Sequence, residues 1–544
     1  MSKYSMGIDF GTLSARAVIV DINTKEEIMA SVSEYKHAVI SETFINGEKL
    51  PPDSALQHPQ DYLDSLYFVI KDSIEKSGVN PCDIIGVGVD FTASTILPVT
   101  LDGTPLCFLD EYRENPNAYV KLWKDHTAQK EADRINALAK ELNSDWIKRY
   151  GGTISCEWLF PKILYILNHD EKLYNDTQRF IEAGDWIVWK LTGKESHSVC
   201  TTGFKAMWSE ENGYPDKEFL EKLDSRLCDI ARTKLSCDIS KLSKKAGTIT
   251  EEIEALTGLK AGTPVMPAFI DAHAALPALG ITNPGELLMI IGTSSCHILL
   301  GDKPISVPGI SGYVKDGIVD GLYAFEAGQS CVGDSFDWFI KNCVPQKYFD
   351  EAKEMGVNIH KLLREKAKKL SPGSNGLIAL DWWNGNRTPY VNGNLTGVVV
   401  GMDIHTLPEE IYRALIETTA YGTRTIIEIY EQNGIKIEKL YATGGIAEKD
   451  ELLMQIYADV TGREIYLSGT SQGCAYGSAV LGAVNERGYK DLKEASQNMK
   501  KIKDLSYKPN MENKEKYDSL FESYKKISKF FAENGMMEEL KKIK

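Results

Sequence analysis

Two short apolar stretches open the chain, one around Ile8 and one over Val18, Ile19 and Val20, with Asp9-Phe10-Gly11-Thr12-Leu13-Ser14 between them. Apolar runs of this length broken by a glycine-containing turn predict a β-hairpin. From about Pro59 to Ser77, Tyr62, Leu66, Val69, Ile70, Ser73 and Ile74 recur at helical spacing, which predicts an amphipathic helix. A continuous apolar run from Ile84 to Val89 follows and ends on Asp90, the pattern of a buried strand. Hairpins alternating with helices indicate an α/β domain whose strand ends carry function. The middle of the chain is richer in helical patterning and closes with a strand from Pro264 to Ile270, then Asp271, then a helix of small residues from Ala272 to Leu279. Asn283-Pro284-Gly285 breaks this pattern, and the domain boundary is placed there, giving residues 1–284 and 285–544.

Beyond the break the opening pattern returns. An apolar strand from Leu287 to Ile291 leads into Gly292-Thr293-Ser294-Ser295, and a second strand covers Ile298 to Leu300. Gly11-Thr12-Leu13-Ser14 has its counterpart in Gly292-Thr293-Ser294-Ser295, so a duplicated fold with two facing loops is expected. Further on, the pattern predicts a strand over Ile437 to Thr443, a turn at Gly444-Gly445, a helix from Asp450 to Thr461 and a strand from Arg463 to Leu467. Tyr517, Leu520, Phe521, Tyr524, Ile527 and Phe531 share one face of a tail helix over Glu515 to Phe531, a packing stripe.

A chain of 544 residues exceeds the size at which a single core keeps growing, which supports two domains and a cleft between them. Hydrophobic residues at 43% and charged residues at 26% are ordinary for a globular protein. The net charge of -15 comes from dispersed acids, and clustered cations for nucleic-acid phosphates are missing. Ten cysteines lie scattered without CxxC pairs, which suggests neither zinc nor a secreted disulfide framework. The strand ending at Asp9 begins too early for a signal peptide, and no apolar run reaches membrane-spanning length, so a cytoplasmic protein bound to neither nucleic acid nor membrane is expected.

The chemistry concentrates in the two tips. Phosphoryl transfer needs positioning and charge stabilisation, which a tight glycine hairpin supplies through close-approaching backbone amides and Thr or Ser hydroxyls. Gly11, Thr12 and Ser14, and Gly292, Thr293 and Ser294, are therefore candidate phosphate contacts; a plain hairpin turn is the alternative for either alone. Asp9 is suited to hold Mg²⁺ through water, with a turn-initiating Asp as the alternative. Asp271, between a strand and a helix of small residues, could accept a hydroxyl proton or simply cap the helix. There is no GxxxxGK[ST] loop and no HExxH. Gly469-Thr470-Ser471-Gln472-Gly473 matches GxSxG, but the last histidine is His405, before Ser471, which is the wrong order for a hydrolase triad.

These residues resemble the FGGY carbohydrate kinases. The family's first phosphate motif is similar to Gly7-Ile8-Asp9-Phe10-Gly11-Thr12, its second to Gly292-Thr293-Ser294 and its adenosine motif to Ala442-Thr443-Gly444-Gly445-Ile446. The resemblance covers essentially the whole chain. It implies two actin-like, ribonuclease-H-like ATPase domains around a cleft, MgATP as cosubstrate, and Asp271 as catalytic base. Gly88-Val89-Asp90-Phe91-Thr92-Ala93, Tyr119-Val120-Lys121-Leu122-Trp123-Lys124 and Ala379-Leu380-Asp381-Trp382-Trp383-Asn384-Gly385-Asn386-Arg387 are similar to members acting on L-ribulose. The pairs that would mark glycerol- or xylulose-phosphorylating members, Arg-Glu and Met-His, do not stand near Asp90. The resemblance thus implies formation of L-ribulose 5-phosphate in L-arabinose catabolism. It further implies sugar contacts from Ala93, Lys205 and Glu326, an apolar wall from Trp123, and adenosine contacts from Gly444 and Gly445. Tyr165 stands where the family usually has Trp, read as a packing variation. The expected partners are a ketopentose and MgATP, and a homodimer is allowed. A kinase of D-ribulose, xylulose or a polyol, and an actin-like assembly ATPase, are the alternatives.

Overall fold

The computed structural model describes residues 2–543. Two seven-stranded sheets form its frame. In the first, β1 (Tyr4–Phe10), β2 (Ser14–Asp21) and β3 (Glu27–Glu34) form an antiparallel meander. β4 (Ile84–Phe91) lies parallel to β1 on its other side; of β5 (Gly247–Thr248), β6 (Pro264–Val265) and β7 (Phe269–Ile270), β6 and β7 pair with β4 and β5 lies outermost, against β6. The expected strand from Pro264 to Ile270 is therefore two short strands. Met266 to Ala268 carry the chain along the same edge of β4 so that β7 ends beside Phe91.

In the second sheet, β8 (Glu286–Ile291) and β9 (Ser295–Gly301) form the equivalent hairpin, with β10 (Gly312–Lys315) and β11 (Tyr323–Gln329) beyond β9. β12 (Lys439–Thr443) runs parallel to β8, and β13 (Ile465–Ser468) and β14 (Ile502–Tyr507) complete the sheet. Three strands antiparallel around a tip and a fourth parallel to the first recur in both halves, so the repeat of the tips is a repeat of topology.

The expected helices are present as Pro59–Ser77, Asp271–Ala278, Glu451–Thr461 and Met511–Glu533. Asp450 stands just outside its helix as the N-cap, accepting from the Leu453 amide. Gly445 is not in a turn but begins the short helix Gly445–Lys449.

Each sheet has its own apolar core. A further cluster, including Tyr119, Trp158 and Phe160, fills an added lobe of the first half around a four-stranded sheet. A fourth joins the halves, with Val18, Phe269 and Ala274 packed with Leu288, Ile298 and Tyr476. At this junction helix Gly473–Gly482 lies directly on β1 and β4. A Cβ at Gly7 or Gly88 would come within 1.8 Å of Ala475 O or 1.9 Å of Ser478 O, and one at Gly477 within 1.6 Å of Ala274 O. The GTSQG segment that precedes this helix therefore leads into a close backbone packing. It is not a nucleophile elbow.

Candidate active site

The strand ends of the first half converge on three carboxylates. Asp9 and Asp90 are register partners on parallel β1 and β4, and Asp271 follows β7 immediately. Asp9 is buried, with Arg16 Nε 3.0 Å from its Oδ2, and Arg16 also donates to Gln472 Oε1 at 3.0 Å, across the junction of the halves. Asp90 is fully buried; its Oδ2 accepts from Ser478 Oγ at 2.6 Å, while its Oδ1 has no hydrogen-bond partner. Burial, then the Asp9 charge, push the Asp90 carboxyl well above the usual range. Asp271 is raised to about 7, chiefly by burial and then by Asp9.

Asp271 does not cap its helix. Ile270 occupies the N-cap position, and Asp271, the first helical residue, uses Oδ1 to accept from the adjacent Ala272 amide at 2.7 Å. Its remaining oxygen carries none of the cap hydrogen bonds that the alternative reading requires.

Lys205 and Glu326 come from different halves and meet. Lys205 Nζ lies 2.8 and 3.0 Å from the two Glu326 oxygens, and His273 Nε2 lies 3.2 Å from Oε2. Burial alone would raise the Glu326 carboxyl, yet Lys205 and His273 hold it well below the ordinary range. This buried pair is close enough to act electrostatically on Asp271. Ala93 lies in the turn after β4, beside Ser94, whose φ is 54°. Lys162 fixes that turn by donating to Ser94 O at 2.6 Å and to Leu122 O at 2.7 Å, which also places Trp123. Trp123 then donates from Nε1 to Thr12 Oγ1 at 3.1 Å, tying the expected sugar wall to the first tip.

At the first tip Gly11 donates to Ser14 O at 3.0 Å, closing the turn. At the second, Gly292 donates to Ser294 O at 2.9 Å, and the amides of Val332 and Gly333 brace it by donating to Thr293 O and Gly292 O. Among the described residues the amides of Thr12, Leu13, Thr293 and Ser294 donate to no backbone carbonyl, so both tips present free donors. Gly444 adopts φ 102° and lies so close to Ile291 that a Cβ there would be 2.4 Å from Ile291 O, whereas Gly445 is open. The adenosine-motif glycines are thereby placed beside the second tip.

Asp90, Arg16, Lys162 and His273 are site residues that spacing along the chain did not single out. The strand ending on Asp90 was legible, but its register with Asp9 and the contacts of the other three join distant segments.

A duplicated α/β scaffold with paired glycine tips, a carboxylate cluster and a polar site shared between halves defines an actin-like phosphotransferase. Comparison with known proteins agrees. Residues 4–278 and 287–486 match the N-terminal and C-terminal domains of the FGGY family of carbohydrate kinases, and the chain belongs to that family. It is 50% identical to a ribulokinase of Bacillus licheniformis over 98% of both chains. With a ribulokinase of Geobacillus thermodenitrificans it shares 46% identity over 99% of this chain and 97% of the other. Among solved structures, a xylulose kinase from Lactobacillus acidophilus superposes with a TM-score of 0.80 at 19% identity, covering 98% of this chain and 99% of that one, which shows the common fold.

Proposed function

We propose that the protein transfers the γ-phosphoryl group of ATP to the 5-hydroxyl of L-ribulose, yielding L-ribulose 5-phosphate and ADP, in the cytoplasm. The observation that carries this reading is the buried Lys205–Glu326 pair, one residue from each half, tied through His273 to the helix that Asp271 begins. An assembly ATPase has no need of convergent polar groups beside its nucleotide. The specificity for L-ribulose is supported by the similarity to ribulokinases along the whole chain.

In the mechanism Asp271 accepts the proton of O5, O5 bonds to the γ-phosphorus, and the bond from that phosphorus to the bridging oxygen of ADP breaks. Lys205, Glu326 and Ala93 hold the sugar and Trp123 walls it. Gly11, Thr12 and Ser14 face the phosphates from one side, and Gly292, Thr293 and Ser294 from the other, with Gly444 and Gly445 at the adenosine. The Mg²⁺ of MgATP fits the first tip on chemical grounds: Asp9 and Asp90 offer hard oxygens, and the buried Asp90 Oδ1 lacks a donor. Asp9 and Asp90 would hold the ion, through water, and it would neutralise phosphate charge.

Residues 1–284 and 285–544 act in this reading as the two closing bodies, with the apolar junction as fulcrum. A coupled ADP assay over the four 2-ketopentoses, glycerol and ribitol tests it. L-ribulose should give the highest kcat/KM; preference for glycerol, or no sugar-dependent turnover, overturns it.

A further inference from the structure

One cation in the cleft is unaccounted for by this mechanism. Arg387 is half-buried, yet among the described residues it makes no hydrogen bond and no ion pair within 4.0 Å. A guanidinium stays charged at any physiological pH and has five donors to satisfy, so leaving it half-desolvated without an acceptor is costly. The two nearest acids do not neutralise it. Glu326 is engaged by Lys205 and His273, and Glu157 by His126 Nε2 at 3.1 Å. Both still attract Arg387 electrostatically, which places the guanidinium between the added lobe of the first half and β11 of the second.

The position is well defined. Gly328 on β11 lies against the Arg387 side chain, since a Cβ there would be 3.3 Å from Cδ and 3.4 Å from Nη1, and the Gly328 amide donates to Thr388 Oγ1 at 3.3 Å. Gly328 is two residues from Glu326. Across the ladder it pairs with Cys296, and the next pair is Gln329 with Ser295, the residue that follows the second tip. Arg387 therefore stands between the sugar-binding pair and the second phosphate tip, where the γ-phosphoryl group has to pass.

We propose that Arg387 is a catalytic residue whose guanidinium binds the equatorial oxygens of the phosphoryl group during its transfer. This rests on the phosphoryl-transfer reading above. As O5 bonds to phosphorus and the bridging oxygen of ADP departs, negative charge spreads over those oxygens, and a planar fork of donors matches two of them at once. Its charge complements that of the first tip, because Arg16 is held by Asp9 and Gln472 while Arg387 is free to meet an anion.

Arg387→Ala and Arg387→Lys test the proposal, with MgADP affinity and thermal melting as checks on folding. Both should melt and bind MgADP as the parent does. The Ala variant should lose about 10²- to 10³-fold in kcat with sugar KM within about threefold, and Lys should restore only part of it. The complex with MgADP and aluminium fluoride, a mimic of the phosphoryl group in flight, should weaken by a comparable factor. Sugar KM rising with kcat unchanged would assign Arg387 to a sugar hydroxyl and overturn the proposal. So would a Glu157→Gln variant that reproduces the whole loss without adding to it in the double variant, since Arg387 would then be half of a closure latch. If the parent turned over none of the sugars, the substrate reading would fail, and the aluminium fluoride complex, which needs no sugar, would still decide whether Arg387 meets the phosphoryl group.

Discussion

The two hairpin tips occupy equivalent places in equivalent sheets and differ in what stands behind them. Two residues before Gly11 is Asp9, in register with Asp90 on the neighbouring parallel strand; two residues before Gly292 is Ile290, in register with Thr443. One end therefore carries a buried carboxylate pair and the other an apolar residue and a hydroxyl. Duplication supplied two glycine tips, and side chains at one register position gave carboxylates to the first alone, which in the proposed mechanism suits it to a cation. The second has Gly444 packed against Ile291 and the start of helix Gly333–Cys343 bracing its carbonyls, which in the proposed mechanism leaves it to the nucleotide.

Substitutions at the two ends should separate these roles. The largest effect is expected for Asp271→Asn, which keeps shape but cannot take a proton: single-turnover kcat should fall about 10²- to 10⁴-fold with ATP affinity nearly normal. A rate within about threefold of the parent would remove Asp271 from the chemistry. Because burial and Asp9 raise the folded carboxyl to about 7, above its unfolded value of 3.8, the fold favours the protonated form. Its contribution to stability is complete below the unfolded value and lost as pH rises through about 7. Asp271→Asn should accordingly melt higher than the parent at pH 8, with the advantage vanishing in acid. For the same reason parental kcat/KM should decline below about pH 7, as the base becomes protonated, and a flat profile between pH 5 and 8 would argue against it.

At the first tip Asp9→Asn should raise the Mg²⁺ needed for half-maximal rate by about ten- to hundredfold, measured by titration at fixed ATP. The second tip should respond through the nucleotide instead. A Cβ at Gly292 meets only Ser294 O, at 3.9 Å, so Gly292→Val should fold normally and weaken ATP by about ten- to hundredfold in calorimetry. Gly444→Val should instead lower the melting temperature, because its φ of 102° and its contact with Ile291 O exclude a side chain. Equal behaviour of the two valine variants would erase the distinction between a ligand-facing and a structural glycine. The smallest change is expected for Trp123→Phe, which keeps the wall and removes the bond to Thr12. That bond is worth about 0.5–1.5 kcal/mol, or roughly two- to tenfold in sugar KM.

The sequence by itself determined both hairpins and the helices Pro59–Ser77 and Met511–Glu533, because these follow from local periodicity and turn chemistry. It also marked Asp9, Asp271 and the tip glycines, which stand at strand ends where chain neighbours disclose their setting. Only the tertiary structure decided that Lys205 and Glu326 form one buried pair, that Asp90 Oδ1 is left without a donor, and that Arg387 lies unpaired against Gly328 of β11. It likewise split the strand over Pro264 to Ile270 and turned GTSQG into the approach to a glycine-packed junction. Those outcomes depend on burial, field and backbone approach between segments up to several hundred residues apart, quantities that arise when the two halves pack together and that no local pattern carries.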